Sequence, residues 1–146
     1  MSEVEKAEEI LFSVSVINDE INQIEEHINE LRESLGVKGI NFDERIQTVS
    51  KDVHLSEKKQ AEIATLQLIA REKQIELFKE KIRITDMIHK LSNINEIRFL
   101  RYKYIELKRL EDIASIMNYS YNYVRNDLRT NALINFYNSV QKSADS

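Results

Sequence analysis

Apolar residues recur from Ile10 to Leu35 in unbroken steps of four and three: Ile10, Val14, Ile17, Ile21, Ile24, Ile28, Leu31 and Leu35. A 3.5-residue spacing held over about four heptads is the pattern of a left-handed coiled-coil seam, and it predicts one helix over residues 2–35. Gly36 ends that helix, and residues 37–55 read as a connection. There Ile40, Phe42, Ile46 and Val49 could pack a short helical turn against the tip of a hairpin. A second long helix is predicted from Ser56 to about Leu91. Ala61, Ala64, Leu68, Ile75, Phe78 and Ile82 form one apolar set on it, and Leu66, Leu77, Ile84, Ile88 and Leu91 form another, offset set. Together they cover a broad face, which implies more than one neighbour. At about 1.5 Å per residue both helices reach about 50 Å, so they match as an antiparallel hairpin. A dimer made through this hairpin is the natural use for the surplus apolar face. Whether the first seam closes within one chain or between two is left open by the pattern.

Beyond Ser92 and Asn93 the elements shorten. A helix is predicted over residues 95–105, with Ile97, Leu100, Tyr104 and Ile105 inward and Arg98, Arg101 and Lys103 outward. The stretch from Leu110 to Leu128, LEDIASIMNYSYNYVRNDL, reads as a helix, a tight turn and a second helix. Ile113, Met117 and Val124 can close a small core, and Ala114 is small where the helices must cross. Asn118 stands where a left-handed residue is wanted. Ser120 can cap the second helix by accepting a free backbone N–H. After Leu128 the helix continues through Ala132, Leu133 and Phe136, and the tail from Gln141 is expected to fray. The predicted architecture is all-α: a coiled-coil hairpin over 1–91, a three-helix helix-turn-helix domain over 92–140, and a flexible tail over 141–146.

Composition sharpens this picture. The 146 residues contain no proline, two glycines and no cysteine, and 32% of them are charged. Such a chain lacks the punctuation of an all-β fold, and its lack of cysteine suits a reducing cytoplasm. No apolar run approaches the roughly 20 residues of a membrane span, and the amino terminus is acidic rather than signal-like. The formal charge of −4 hides an asymmetry. Residues 1–88 carry 12 basic and 19 acidic side chains, whereas residues 89–146 carry 9 basic and 6 acidic, together with all six tyrosines. The first helix is the most acidic part, with two basic residues against ten acidic in 1–35. A more basic partner is expected for it, and Lys58, Lys59, Arg71, Lys73, Lys79, Lys81 and Arg83 of the second helix can answer. An acidic partner such as duplex DNA would meet the carboxy-terminal third.

The residues offer little chemistry. His27, His54 and His89 have no acid or cysteine at a recognised ligand spacing, so no metal is expected. Pairs such as Asp19-Glu20 and Glu25-Glu26 read as solvated charge. No nucleophile set, phosphate loop or dinucleotide fingerprint is present, so neither an enzyme nor a cofactor is expected. The first turns of the predicted recognition helix instead offer Tyr121, Asn122, Tyr123, Arg125, Asn126 and, one turn on, Arg129. Arginine and asparagine pair bidentately with guanine and adenine.

Lys103-Tyr104-Ile105-Glu106, Leu110-Glu111-Asp112-Ile113-Ala114, Asn118-Tyr119-Ser120, Val124 and Ala132-Leu133 resemble the RYxE…(W/L)EEIA…GYS…V…AL signature of small phage-encoded regulators. Their carboxy-terminal domain is similar to domain 4 of sigma factors, which reads the promoter −35 element. The broader group includes the ArpU- and RinA-type late regulators of phages of Gram-positive bacteria. The order of a hairpin, a glycine-containing connection and this domain also resembles that family, so the likeness covers most of the chain.

The resemblance implies double-stranded DNA binding near a promoter and control of late or packaging genes in a bacterial host cytoplasm. Ser120 would be the cap, with Tyr121, Asn122, Arg125 and Asn126 nearest the bases and Arg129 at a phosphate. The chain departs from the pattern at three places: Leu107 replaces a turn glycine, Arg109 stands where Ser or Thr caps, and Asp127 occupies an apolar position with Leu128 one residue late. Arg109 could reach a phosphate instead. The leading expectation is a dimeric or higher homo-oligomeric transcription regulator. Its alternatives are a module that binds RNA polymerase or another phage protein without touching DNA, and a purely structural coiled-coil factor.

Overall fold

The structure, a computed structural model, describes the backbone of residues 2–36 and 42–145 and the side chains of residues 2–36 and 55–145. The fold is all-α, with no strand among the described residues. Helix α1 (Glu3–Leu11) opens on a reciprocal cap: the Glu5 N–H donates to the Ser2 hydroxyl at 3.2 Å, and the Ser2 N–H donates to the Glu5 carboxylate at 3.4 Å. This arrangement satisfies two backbone donors that a helix start leaves orphaned. Phe12 separates α1 from α2 (Ser13–Ser34), so the single helix expected over 2–35 is two. The interruption is slight. Phe12 stays right-handed, its N–H donates to the Glu8 carbonyl at 2.8 Å, and its own carbonyl accepts from Val16 at 3.0 Å. Gly36 takes a positive φ of 74° after α2, a geometry glycine adopts without steric cost.

Helix α3 runs Phe42–Ile88. It starts well before the expected Ser56, because no proline or glycine lies between residues 40 and 88 to stop a helix propagating backwards. The expected packing of Ile40, Phe42, Ile46 and Val49 lies outside the described residues. Helix α4 (Ile94–Leu100) is capped by Asn93, whose side-chain oxygen accepts from the N–H groups of Asn95 and Glu96 at 3.0 and 3.1 Å. It continues into a π-helical turn, Arg101–Ile105, and ends at Leu107. Helix α5 (Leu110–Met117) follows. A last helix spans residues 121–144, made of a π-helical turn over Tyr123–Leu128 and α6 (Arg129–Ala144). The expected frayed tail from Gln141 is therefore helical as far as Ala144, where Lys90 Nζ lies 3.4 Å from Ser143 Oγ.

The chain forms two compact units, residues 1–17 with 77–146 and residues 18–76. In the first, α1 and the start of α2 supply Ala7, Leu11 and Val14, and the end of α3 supplies Ile84 and Ile88. These join Phe99, Leu100, Tyr104, Ile113, Val124, Ala132, Leu133 and Phe136 in one core. This unit reaches past the boundary expected at residues 91 and 92. Helices α4 and α5 are short, and completely burying a leucine or isoleucine stabilises by about 1.5–3 kcal/mol. Borrowing apolar side chains from both ends of the preceding segment gives the core its size. Glu96 is buried beneath α6, and Asn135 Nδ2 donates to both its carboxylate oxygens, at 2.7 and 3.1 Å.

In the second unit, Ile21 and Ile28 of α2 and Ile63 and Ala70 of α3 are buried. The ion pairs there run in opposite directions along the two helices: Glu20 meets Lys73 at 2.6 Å, and His27 meets Glu62 at 3.6 Å. Lys73 thus answers the acidic helix as expected. Its hydrogen bond to Glu20 first, and to Glu76 second, raises its pKa above the usual lysine value. Arg83 turns instead to Glu80 on its own helix. Along α3 the two apolar sets divide. Leu66, Leu77, Ile84, Ile88 and Leu91 are buried or half-buried, while Ala61, Ala64, Leu68, Ile75, Phe78 and Ile82 are exposed.

Candidate nucleic-acid interface

The candidate site is built on α5, the turn after it and the helix from Tyr121. Helix α5 begins at Arg109, which has the extended backbone of a cap residue but makes no capping hydrogen bond with its side chain. The exposed guanidinium instead sits 3.4 Å from Asp112. At the other end Asn118 is left-handed, with φ 59° and ψ 40°. The Tyr119 N–H donates to the Ala114 carbonyl at 3.0 Å and the Asn118 N–H to the Ser115 carbonyl at 3.4 Å. These two bonds make a Schellman close, which satisfies carbonyls the helix end would leave free. Asn118 thereby does the work that glycine most often does. Two residues later the Ser120 hydroxyl accepts the Tyr123 N–H at 3.2 Å, and the Ser120 carbonyl accepts from Val124. Cap and turn together set the angle between the two helices, which is locked by buried Ile113, Ala114, Met117, Val124 and Leu128.

The π-helical turn accounts for the late arrival of Leu128. A π turn places an extra residue in the helical circuit. Val124, Leu128, Ala132 and Leu133 are all buried, so the helix keeps one apolar side through the π turn. Asp127, in the position expected to be apolar, is consequently exposed. Tyr121, Asn122, Tyr123, Arg125 and Asn126 are exposed as well, and the ring of Tyr123 lies against Tyr119 with centroids 4.9 Å apart.

Arg129 is not among them. Its guanidinium is paired with the Glu8 carboxylate of α1, and the Tyr104 hydroxyl donates to the same carboxylate at 3.3 Å. Both charged side chains are partly buried. Arg129, expected at a phosphate, thus makes an internal ion pair with Glu8. Burial, and then the charge of Glu8, hold the Tyr104 phenol well above the usual tyrosine range. Sequence reasoning missed this cluster because Glu8 and Arg129 lie 121 residues apart. Glu8 was hidden among the glutamates of an acidic helix, and no local signal marks it.

Among the described residues, no three His, Cys, Asp or Glu side chains are grouped to hold a metal ion, and no helix is long and apolar enough to cross a membrane. No family model, curated protein or solved structure matches this chain.

Proposed function

We propose that this chain is a DNA-binding protein of the helix-turn-helix class, with α5 as the supporting helix and the helix from Tyr121 as the recognition helix. The observation that carries the reading is the row of hydrogen-bonding side chains Tyr121, Asn122, Arg125 and Asn126. All are exposed on the first turns of a helix that follows a left-handed close and a serine cap. In such docking the second helix enters the major groove and its amino-terminal residues meet base edges. Arg125 and Asn126 have the donor patterns for guanine and adenine. Ser120 and Tyr123 shape the helix start, and the exposed Arg109 at the start of α5 would meet a backbone phosphate. Arg129 is left out of the contact set, since its charge is committed to Glu8.

Within that class, the resemblance noted in the sequence favours a phage or prophage transcription regulator acting on late genes in the cytoplasm of a bacterial host. The coiled-coil hairpin of α2 and α3 would serve as its dimerising arm. A second reading, a module that binds RNA polymerase or another phage protein, draws support from the exposure of Ile116, Tyr121 and Tyr123 beside the same helix.

Selection of bound duplexes from a random pool, with full-length protein near physiological salt, separates the two. An enriched motif supports the DNA reading, and Arg125→Ala should then weaken the selected site by about 1–3 kcal/mol while leaving helicity unchanged. Binding without enrichment that vanishes as salt rises would leave only nonspecific phosphate attraction and favour the protein-binding module.

A further inference from the structure

We propose that the outward face of α3 is a self-association surface that takes a second copy of this chain in antiparallel orientation. The inference deepens the dimeric reading above and does not depend on DNA. Leu68, Ile75, Phe78 and Ile82 are 56%, 53%, 66% and 48% exposed. Singly exposed apolar residues need no explanation, but these do not scatter. Leu68, Ile75 and Ile82 are seven residues apart, and Phe78 stands three after Ile75, as the two core positions of a heptad do. Exposed Ala61 and Ala64 extend the stripe, and Arg71 and Thr85 occupy its remaining core positions. The inward set of the same helix is already satisfied within the chain, so the outer stripe is a second seam.

Charge decides the orientation. A parallel, in-register pair would set Arg71 against the partner's Arg71 in the seam, where two guanidinium groups repel. An antiparallel pair that sets Ile75 against the partner's Phe78 gives a different register. Leu68 then meets the partner's Thr85, and Arg71 meets the partner's Ile82, along whose side the arginine stem can lie while its head reaches water. The same register sets Glu72 opposite the partner's Lys79, and by symmetry Lys79 opposite the partner's Glu72. Such an isologous contact is the usual form of a twofold dimer. Arg71, Glu72 and Lys79 form no ion pair among the described residues, so their charges are available to a partner.

The test uses the full-length chain. Sedimentation should give roughly twice the 17.2 kDa chain mass, and Phe78→Glu should halve it with the helical circular dichroism retained. Glu72→Lys and Lys79→Glu should each weaken the dimer, and the double exchange should restore it. A native chain without cysteine also permits clean crosslinking. In the antiparallel register the two copies of residue 68 lie about 25 Å apart along the axis, far beyond the roughly 7 Å between Cα atoms that a disulfide tolerates. Leu68→Cys alone should therefore not crosslink, whereas Leu68→Cys mixed with Thr85→Cys should. A wild-type monomer, or a dimer indifferent to Phe78→Glu, overturns the surface. Efficient crosslinking of Leu68→Cys to itself overturns the orientation while leaving a dimer in place. Motif selection on duplex DNA is read separately and stands or falls without either result.

Discussion

Leu107 is a leucine held at φ 56°, after the π-helical end of α4, where the sequence pattern wants glycine. The Lys108 N–H donates across it to the Tyr102 carbonyl at 2.9 Å, so the turn is closed despite the side chain. A non-glycine residue in this region costs on the order of 1 kcal/mol. Leu107→Gly should therefore raise stability by about 0.5–1 kcal/mol, read as a higher melting temperature. A lower one would show that the partly exposed leucine earns more by packing than it loses in backbone strain. The opposite sign is expected at the Glu8 cluster. Glu8→Ala leaves the Arg129 guanidinium partly buried without its carboxylate, and should cost about 1–3 kcal/mol in chemical denaturation. Tyr104 gives the cluster a spectroscopic handle. Its neutral form is favoured in the folded state, so its contribution to stability is complete below the ordinary tyrosine value of 10 and is lost as pH rises beyond it. An ultraviolet titration of wild type against Tyr104→Phe should isolate one ionisation above pH 10.

At the scale of elements, ion pairs and caps join helices whose apolar faces already match. Ser13 at the head of α2 donates to Glu80 of α3 at 2.9 Å, and Arg83 pairs with the same carboxylate. Arg83 first, and Ser13 after it, hold the Glu80 carboxyl below the usual value of 4.5. A depressed carboxyl contributes stability that is present above 4.5 and lost as pH falls through the folded-state value. Glu80→Gln should thus flatten the acid limb of the stability profile, lowering stability above about pH 4.5 and converging with the wild type as pH falls below it. The effect should be small, because Arg83 is largely exposed and its attraction is screened. The heptad of the first two helices was legible in the sequence because its spacing is strictly periodic. The π-helical turns were not, since a π turn depends on one hydrogen bond shifting by a residue. The only trace it left was Leu128 standing one place late.

At the scale of the whole molecule, the carboxy-terminal helices do not form a core by themselves. Ala7, Leu11, Val14, Ile84 and Ile88 all have 0% relative exposure in the unit that contains α5 and α6. A fragment of residues 92–146 is expected to lack a cooperative thermal transition. In the full chain, Leu11→Ala should cost about 2–5 kcal/mol, as removal of a completely buried leucine does. A sharp transition for the isolated fragment would contradict this division. The charge asymmetry belongs to the same scale. The acidic first helix does not simply stand apart from the more basic end of the chain: Glu8, one of its glutamates, is joined there to Arg129 and Tyr104.

The sequence by itself determined what repeats and what is local. Periodicity settled the all-helical class and the inward seam of α2, and short-range chemistry settled the left-handed turn at Asn118 and the cap at Ser120. Both kinds of signal act within a few residues, where backbone sterics and hydrogen bonding leave few alternatives. Only the tertiary structure decided which of the two apolar sets of α3 turns inward and that Arg129 pairs with Glu8. It alone also decided that residues 1–17 complete the core around α5 and α6. Those outcomes depend on which surfaces meet across long stretches of chain, and no spacing along the sequence encodes that choice.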